Sequence, residues 1–152
     1  MTTRRDMLTT SAQVAALMAG AGLLPTAAQA AWSQAAFDAK TLAEAVKALG
    51  GAAPAESKDI TITGPDIAEN GAVVPVGCST GLAGVKRLGL LVEKNPSALA
   101  AVFDVTDAVD ANISTRVKMG QSSNVFAVAM MADGKVLYAA KEIKVTLGGC
   151  GG

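Results

Sequence analysis

Residues 125–145 read VFAVAMMADGKVLYAAKEIKV and predict a β-hairpin. A short apolar run, typical of a strand, lies on each side of the four-residue connection 132–135. That connection contains Asp133-Gly134, and an Asp-Gly pair favours the backbone angles of a tight hairpin turn. The stretch therefore predicts two antiparallel strands, 125–131 and 136–145, and with them an all-β fold.

Turn signals upstream divide the chain into further short strands. Gly64-Pro65, Asn70-Gly71 and Asn95-Pro96 each interrupt a run rich in apolar or β-branched residues. The runs that predict strands are 60–63, 73–76, 85–92, 100–105 and 113–119. About seven strands with no helical pattern between them predict an immunoglobulin-like antiparallel β-sandwich over residues 52–147.

Two connections in this domain carry their own predictions. Residues 52–57, which contain Pro54, are expected to form a loop, and 77–84 an interstrand loop rich in glycine. Strands 73–76 and 85–92, on either side of the second loop, are expected to pair as a hairpin or as part of a Greek key.

The segment before the sandwich has helical periodicity. Between residues 33 and 49, Phe37, Leu42, Val46 and Leu49 recur at intervals of three to five. Gly50-Gly51 then supplies a C-terminal stop. One amphipathic helix is predicted, within the segment 31–51.

Residues 1–30 have the features of an export signal. Arg4-Arg5 precede an uncharged apolar stretch, 12–24, and Ala28-Gln29-Ala30 is a small-x-small cleavage site. The arginine pair is similar to the twin-arginine motif, which predicts a cleaved leader and a periplasmic protein. A membrane anchor is the alternative, but the apolar stretch is shorter than the roughly 20 residues that span a bilayer.

Composition excludes several classes of function. Basic and acidic residues number 13 each, so no net field favours nucleic acid or an anionic membrane. Histidine is absent, which removes the commonest general base and metal ligand. Asp104, Asp107 and Asp110 lack the spacing of a calcium loop and predict a solvated turn. Neither a metal site nor catalytic residues are predicted.

The chain ends in Gly148-Gly149-Cys150-Gly151-Gly152. Glycine on both sides predicts a flexible tail, because glycine restricts the backbone least. Fully extended, the three residues after Leu147 carry Cys150 roughly 10 Å from the last strand. Nothing in the sequence activates this thiol, so it is predicted to serve as a handle for the chemistry of other proteins.

Several segments together resemble one known family. The terminal Gly-Gly-Cys-Gly-Gly, the segments 70–76, 91–96 and 139–146, and the twin-arginine leader are similar to those of SoxY, the sulfur-binding subunit of thiosulfate-oxidising systems. The resemblance implies a carrier that is not an enzyme, with sulfur intermediates bound covalently to Cys150 as S-thiosulfonate or persulfide. It implies no resident cofactor.

The same resemblance implies a set of partners. A SoxZ-like subunit would bind the chain, a haem enzyme would load Cys150 with thiosulfate, and a manganese hydrolase would release sulfate. A sulfane dehydrogenase would oxidise the remaining sulfur. The SoxZ-like subunit is expected at the edges of strands 85–92 and 136–145, as an added sheet.

Cys78 departs from the family pattern and leaves two interpretations open. It is either a small apolar residue, partly buried at a strand end, or a functional second thiol, which forms a resting disulfide with Cys150 or acts as a second redox centre. For the whole chain, a secreted interaction module crosslinked through a tail disulfide remains the alternative function. A thiol enzyme is disfavoured, because there is no Cys-x-x-Cys pair and no histidine.

Overall fold

A computed structural model describes residues 33–147, together with Met7, Leu8, Thr10 and Gln13, which are helical. The chain divides into two compact units, 1–32 and 33–152. Apart from those four positions, the predicted leader 1–30 lies outside the described residues, and so does the tail 148–152. In the described part, none of the helices has both the length and the apolar character needed to cross a bilayer.

The predicted single helix is two helices, α1 (Gln34–Asp38) and α2 (Leu42–Ala48). The chain leaves the helical conformation at Ala39, and Thr41 is extended, with φ −127° and ψ 158°. Thr41 Oγ1 accepts a hydrogen bond from the Glu44 backbone N–H at 3.2 Å, which caps a new helix. Thr-x-x-Glu is a sequence signature of a helix N-terminus, so the break between the two helices could have been predicted from the sequence.

Within residues 33–147, nine strands form two sheets, in agreement with the predicted sandwich. They are β1 (Ala55–Glu56), β2 (Ile60–Thr63), β3 (Ile67–Asn70), β4 (Val74–Thr80), β5 (Val85–Val92), β6 (Leu99–Asp104), β7 (Asn112–Val117), β8 (Ser123–Met131) and β9 (Val136–Leu147). The larger sheet has the order β1-β9-β8-β5-β6, with β3 also paired to β9. The smaller sheet has the order β2-β4-β7.

The predicted hairpin is confirmed as β8 and β9. These strands pair antiparallel from Met130 opposite Val136 to Ser123 opposite Ile143. Gly134 in the turn has φ +87°, an angle that glycine adopts without strain. Strands β2 and β5 also coincide with their predicted bounds.

Other parts of the predicted topology are wrong. β1 lies within the predicted loop 52–57, and β4 continues to Thr80, so the loop predicted for 77–84 begins only after it. β4 and β5 do not pair as a hairpin, because they belong to different sheets. The chain crosses between the two layers there, a choice that local turn signals do not encode.

The partner edge predicted on 85–92 is wrong as well, whereas the edge predicted on 136–145 is occupied only in part. β5 lies between β8 and β6, and β9 lies between β8 and the short strands β1 and β3. β5 is therefore interior and paired along both sides. On the side of β9 that faces away from β8, strand pairing is confined to its two ends, opposite β1 and β3.

Two apolar layers hold the second unit together. Between the sheets, the fully buried side chains include Leu88, Leu90, Val125 and Ile143. On the other face of the larger sheet, α1 and α2 bury a second cluster in which Val46 joins residues of β5, β6, β8 and β9. The larger sheet is thus apolar on both faces, which explains why its strands lack a simple alternation.

Gly77 is a steric requirement of the smaller sheet. An added Cβ would collide with Thr63 Oγ1 on β2 and would lie 3.1 Å from the Ile113 carbonyl oxygen on β7. At Gly89 on β5, by contrast, the nearest atom to an added Cβ is 3.8 Å away, an ordinary contact.

We expect Gly77→Ala to lower the free energy of unfolding by about 1 to 3 kcal/mol, because a crowded site must shift to admit the methyl group. Gly89→Ala is the matched control and should be neutral or raise stability by up to about 1 kcal/mol. Urea unfolding measures both values. Adding Thr63→Ala to Gly77→Ala should recover part of the lost stability. Equal stability of the Gly77→Ala and Gly89→Ala variants would refute the steric explanation.

Candidate functional site

The predicted attachment residue, Cys150, and its neighbours Gly148, Gly149, Gly151 and Gly152 lie outside the described residues. What the structure defines is the point from which this arm, residues 148–152, departs. That point is Leu147, the last residue of β9. The base of the arm is therefore a property of the sheet and its loops.

Two loops and a parallel strand hold the end of β9. The Leu147 carbonyl oxygen accepts a hydrogen bond from the Gly71 N–H at 2.8 Å, and the Gly71 carbonyl accepts from the Met119 N–H at 2.7 Å. Met119 is fully buried. The last strand residue is thereby tied, through Gly71, to a residue of the core.

Further bonds repeat this arrangement one and two residues earlier. The Thr146 hydroxyl donates to the Glu69 carbonyl at 3.0 Å, and the Val145 N–H donates to Ser122 Oγ at 2.9 Å. With such anchors the strand end is held in place up to Leu147, because fraying would break several hydrogen bonds together.

Sequence reasoning missed β3, whose parallel pairing with β9 helps to hold the strand end at Leu147. Ala68 lies opposite Val145, and Asn70 lies opposite Leu147. The Asn70-Gly71 turn was predicted, and its signal is physical: Asn70 Oδ1 accepts from the Ala72 N–H at 2.8 Å. Four residues with one buried side chain carry too little periodicity to predict a strand.

Cys78 lies in the middle of β4, not at its end. Its neighbours across the sheet are Ile62 and Ile113, and its side chain is 1% exposed within the core. Burial raises the pKa of the Cys78 thiol to about 11. A buried, protonated thiol is a poor nucleophile, so this geometry favours packing over redox chemistry.

An open groove lies at the opposite end of the sandwich. It has a volume of about 570 Å³ between the β4–β5 and β6–β7 loops, and Asp107 and Asp110 line it. Asp104 instead pairs with Arg87 at 2.6 Å. Within the described residues, no group of three or more His, Cys, Asp or Glu side chains could hold a metal ion.

Comparison with known proteins identifies the family. The sequence matches the family model of the sulfur oxidation protein SoxY over residues 45–150. The sulfur carrier protein SoxY from Chlorobium limicola f thiosulfatophilum is a similar solved structure, with a TM-score of 0.60 and 34% identity. That likeness covers 67% of this chain and 92% of the other. The chain belongs to the SoxY family.

The SoxY match begins within α2, includes all nine strands and ends on Cys150. It therefore contains both the anchored strand end and the cysteine of the arm. A role as a sulfur carrier follows at the level of the family.

Other likenesses concern the fold alone. A superoxide reductase (neelaredoxin) from Ignicoccus hospitalis has a TM-score of 0.51 at 18% identity, over 57% of this chain and 79% of the other. A search of the curated proteins found no match.

The raised pKa of Cys78 makes stability depend on pH. Below about pH 9 the thiol is protonated in both states, whereas between about pH 9 and 11 it ionises only when unfolded. We therefore expect the free energy of unfolding to fall as pH rises through this range. The difference of about 2 between the pKa values corresponds to about 2.7 kcal/mol.

Unfolding of Cys150→Ser and of Cys78→Ala/Cys150→Ser from pH 8 to 11 measures this effect, because the two chains differ only at position 78. As pH rises, the free energy of unfolding of the chain that keeps Cys78 should fall relative to that of the chain with Cys78→Ala. A constant gap would show that Cys78 ionises equally in both states.

Proposed function

We propose that this SoxY-family chain carries sulfur intermediates covalently on Cys150 during thiosulfate oxidation. The observation that carries the proposal is a single cysteine, with two glycines on each side, placed three residues beyond a strand end that the fold anchors. Such an arm presents one sulfur atom on a narrow chain from a fixed point. The chain is a substrate for its partner enzymes and has no catalytic residues of its own.

The loading step balances as an oxidation. The Cys150 thiol and thiosulfate form one S–S bond and give the S-thiosulfonate, with release of one proton and two electrons. A haem enzyme accepts the electrons. Hydrolysis of the terminal S–S bond by a manganese enzyme then adds water, releases sulfate and two protons, and leaves a persulfide anion on Cys150. A sulfane dehydrogenase oxidises that sulfur further.

Covalent attachment has a physical advantage in such a sequence of reactions. A tethered intermediate does not diffuse away, and its effective concentration at a docked enzyme is set by the length of the arm. The successive contacts should be small and transient, so that the arm can pass from one enzyme to the next. A SoxZ-like subunit is the stable partner in this proposal, and the chain itself holds no cofactor.

The cysteine of the core does not compete for this role. Cys78 is buried and its pKa is raised to about 11, so few molecules carry its thiolate near neutral pH. A disulfide between Cys78 and Cys150 would require the sandwich to open.

We expect Cys150→Ser to abolish thiosulfate loading, because the serine hydroxyl cannot form the S–S bond. Cys78→Ala is the matched control, since it removes the other thiol and should be loaded normally. Intact mass before and after dithiothreitol, with peptide mapping, detects the adduct. Normal thiosulfate oxidation by Cys150→Ser would exclude the carrier function, and a Cys78–Cys150 disulfide or intermolecular crosslinks in the wild type would favour the structural module.

Export through the twin-arginine pathway completes the proposal, with the mature chain in the periplasm. Replacement of Arg4 and Arg5 by lysine keeps the charge but removes the guanidinium pair, and should leave the uncleaved precursor in the cytoplasm. Cell fractionation and N-terminal sequencing measure this, with Ala31 expected at the start of the wild-type protein. Normal export of the lysine variant would exclude a twin-arginine signal.

A further inference from the structure

Strand β7 lies at an edge of the smaller sheet. It pairs with β4 without a register shift, and none of the strands within residues 33–147 pairs with its other side. The Thr80 N–H donates to the Ala111 carbonyl, so alternate residues from Ala111 onward face β4. The backbone N–H and carbonyl groups of Asn112, Ser114 and Arg116 therefore face outward.

Local hydrogen bonds mark the two ends of this outward-facing edge. At one end, the Asn112 N–H donates to the Asp110 carbonyl at 2.7 Å. At the other end, the Lys118 carbonyl accepts from the side-chain amide of Asn95 at 2.7 Å. Between them, the outward N–H and carbonyl of Ser114 have no hydrogen-bond partner among residues 33–147. The free edge is thus centred on Ser114.

β7 lacks the features that commonly protect an edge strand from pairing with another chain. Such features are short length, proline, bulges and several charged side chains. β7 has six residues, contains no proline and has one charged residue, Arg116. By contrast, β2 at the other edge of the sheet has four residues, and the pairing of β6 with β5 is irregular. Of these three edge strands, β7 is the best suited to accept a further strand.

The core between the sheets is incompletely covered along β7. Ala111 and Ile113 pack against the buried cluster but are themselves only partly buried. Thr115, the next inward residue of the strand, is also partly buried. A strand added beside β7 would extend the sheet over this side of the core and remove more of these side chains from water.

The sequence of β7 is complementary to itself when two copies run antiparallel. A pairing centred on Ser114 brings Asn112 opposite Arg116 of the second copy, and Ile113 opposite Thr115 of the second copy. Each Ser114 N–H then donates to the Ser114 carbonyl of the other chain, and each Arg116 N–H donates to an Asn112 carbonyl. This register uses the whole free edge, because the edge is centred on the same residue.

Charges at the ends of β7 favour the same register. Continued by two residues, it brings Asp110 opposite Lys118 of the second copy and diagonal to Arg116 of that copy, and all three side chains are exposed. Two-fold symmetry forms each of these attractive contacts twice. A register centred on Arg116 would instead place the two guanidinium groups directly opposite each other, which is unfavourable.

We infer that β7 is the surface through which two copies of this chain pair, so that their three-stranded sheets join into one continuous sheet. A contact through a single strand edge is small, and the dimer is therefore expected to be weak and dependent on concentration. The inference does not rest on the carrier function proposed above, because neither Cys150 nor the arm takes part in the pairing.

The first test measures the dissociation constant of the dimer by sedimentation equilibrium, with the mature full-length chain carrying Cys150→Ser. Ser114→Lys places two like charges opposite each other at the two-fold axis and should raise the dissociation constant at least about tenfold. Thr61→Lys is the matched control, because Thr61 is exposed on β2 at the other edge of the same sheet. It should leave the dissociation constant unchanged, and dilute samples of both lysine variants should share one urea midpoint.

A second test determines the register. Opposite residues of a hydrogen-bonded antiparallel pair have Cα atoms about 5.5 Å apart, which is within the range that a disulfide bridges. Ser114→Cys, again with Cys150→Ser, should therefore form a disulfide-linked dimer under mild oxidation, as seen on a non-reducing gel. Arg116→Cys is the control, since its copy lies about 13 Å away along the paired strands and should not be crosslinked.

Several results would overturn the inference. One is a wild-type chain that stays monomeric up to about 1 mM. Others are a dimer that tolerates Ser114→Lys, an equal effect of Thr61→Lys, or equal crosslinking of the two cysteine variants. Loss of the dimer on Cys150→Ser alone would also overturn it, because the tail would then hold the copies together. None of these results bears on whether Cys150 is loaded with thiosulfate, so the proposed function fails or stands separately.

Discussion

The structure depends on the long strand β9 being paired on both sides. One side is hydrogen-bonded to β8 through the hairpin, and the other to β1 and β3. Because Ile143 is fully buried between the sheets, the strand is held by packing as well as by its ladders. Its last residue, Leu147, is tied through Gly71 to Met119 in the core. The position from which the arm departs is therefore held by several hydrogen bonds that must break together before the strand end can fray.

This arrangement separates two requirements of a carrier. Anchoring demands many hydrogen bonds and buried side chains, and the pairing of β9 with β3 meets that demand up to Leu147. Presentation of a sulfur atom demands few neighbours, which is met in the sequence by four glycines around Cys150. The second cysteine shows the contrast, since Cys78 is enclosed by two isoleucines and its pKa is raised. In the proposed function the two thiols therefore have different roles, because their surroundings differ.

Much of the fold was predictable from local signals. The Asp133-Gly134 turn sets the register of β8 and β9, and the bounds of β2 and β5 follow from the flanking glycine, proline and asparagine. The helical segment was found, but its division at Ala39–Thr41 was not, although Thr41 and Glu44 form a recognisable cap. The two-residue strand β1 and the four-residue strand β3 were missed, because segments so short have no periodicity and exist only through pairing with β9.

The sequence by itself determined the class of the fold, the central hairpin, the glycine-flanked Cys150 and the resemblance to the SoxY family, because each depends on neighbours along the chain. Only the tertiary structure decided that β5 is an interior strand, that Cys78 is a core residue and that Gly71 ties the end of β9 to Met119. These features arise from contacts between segments distant in sequence, and a local pattern carries no information about which distant segment will cover it.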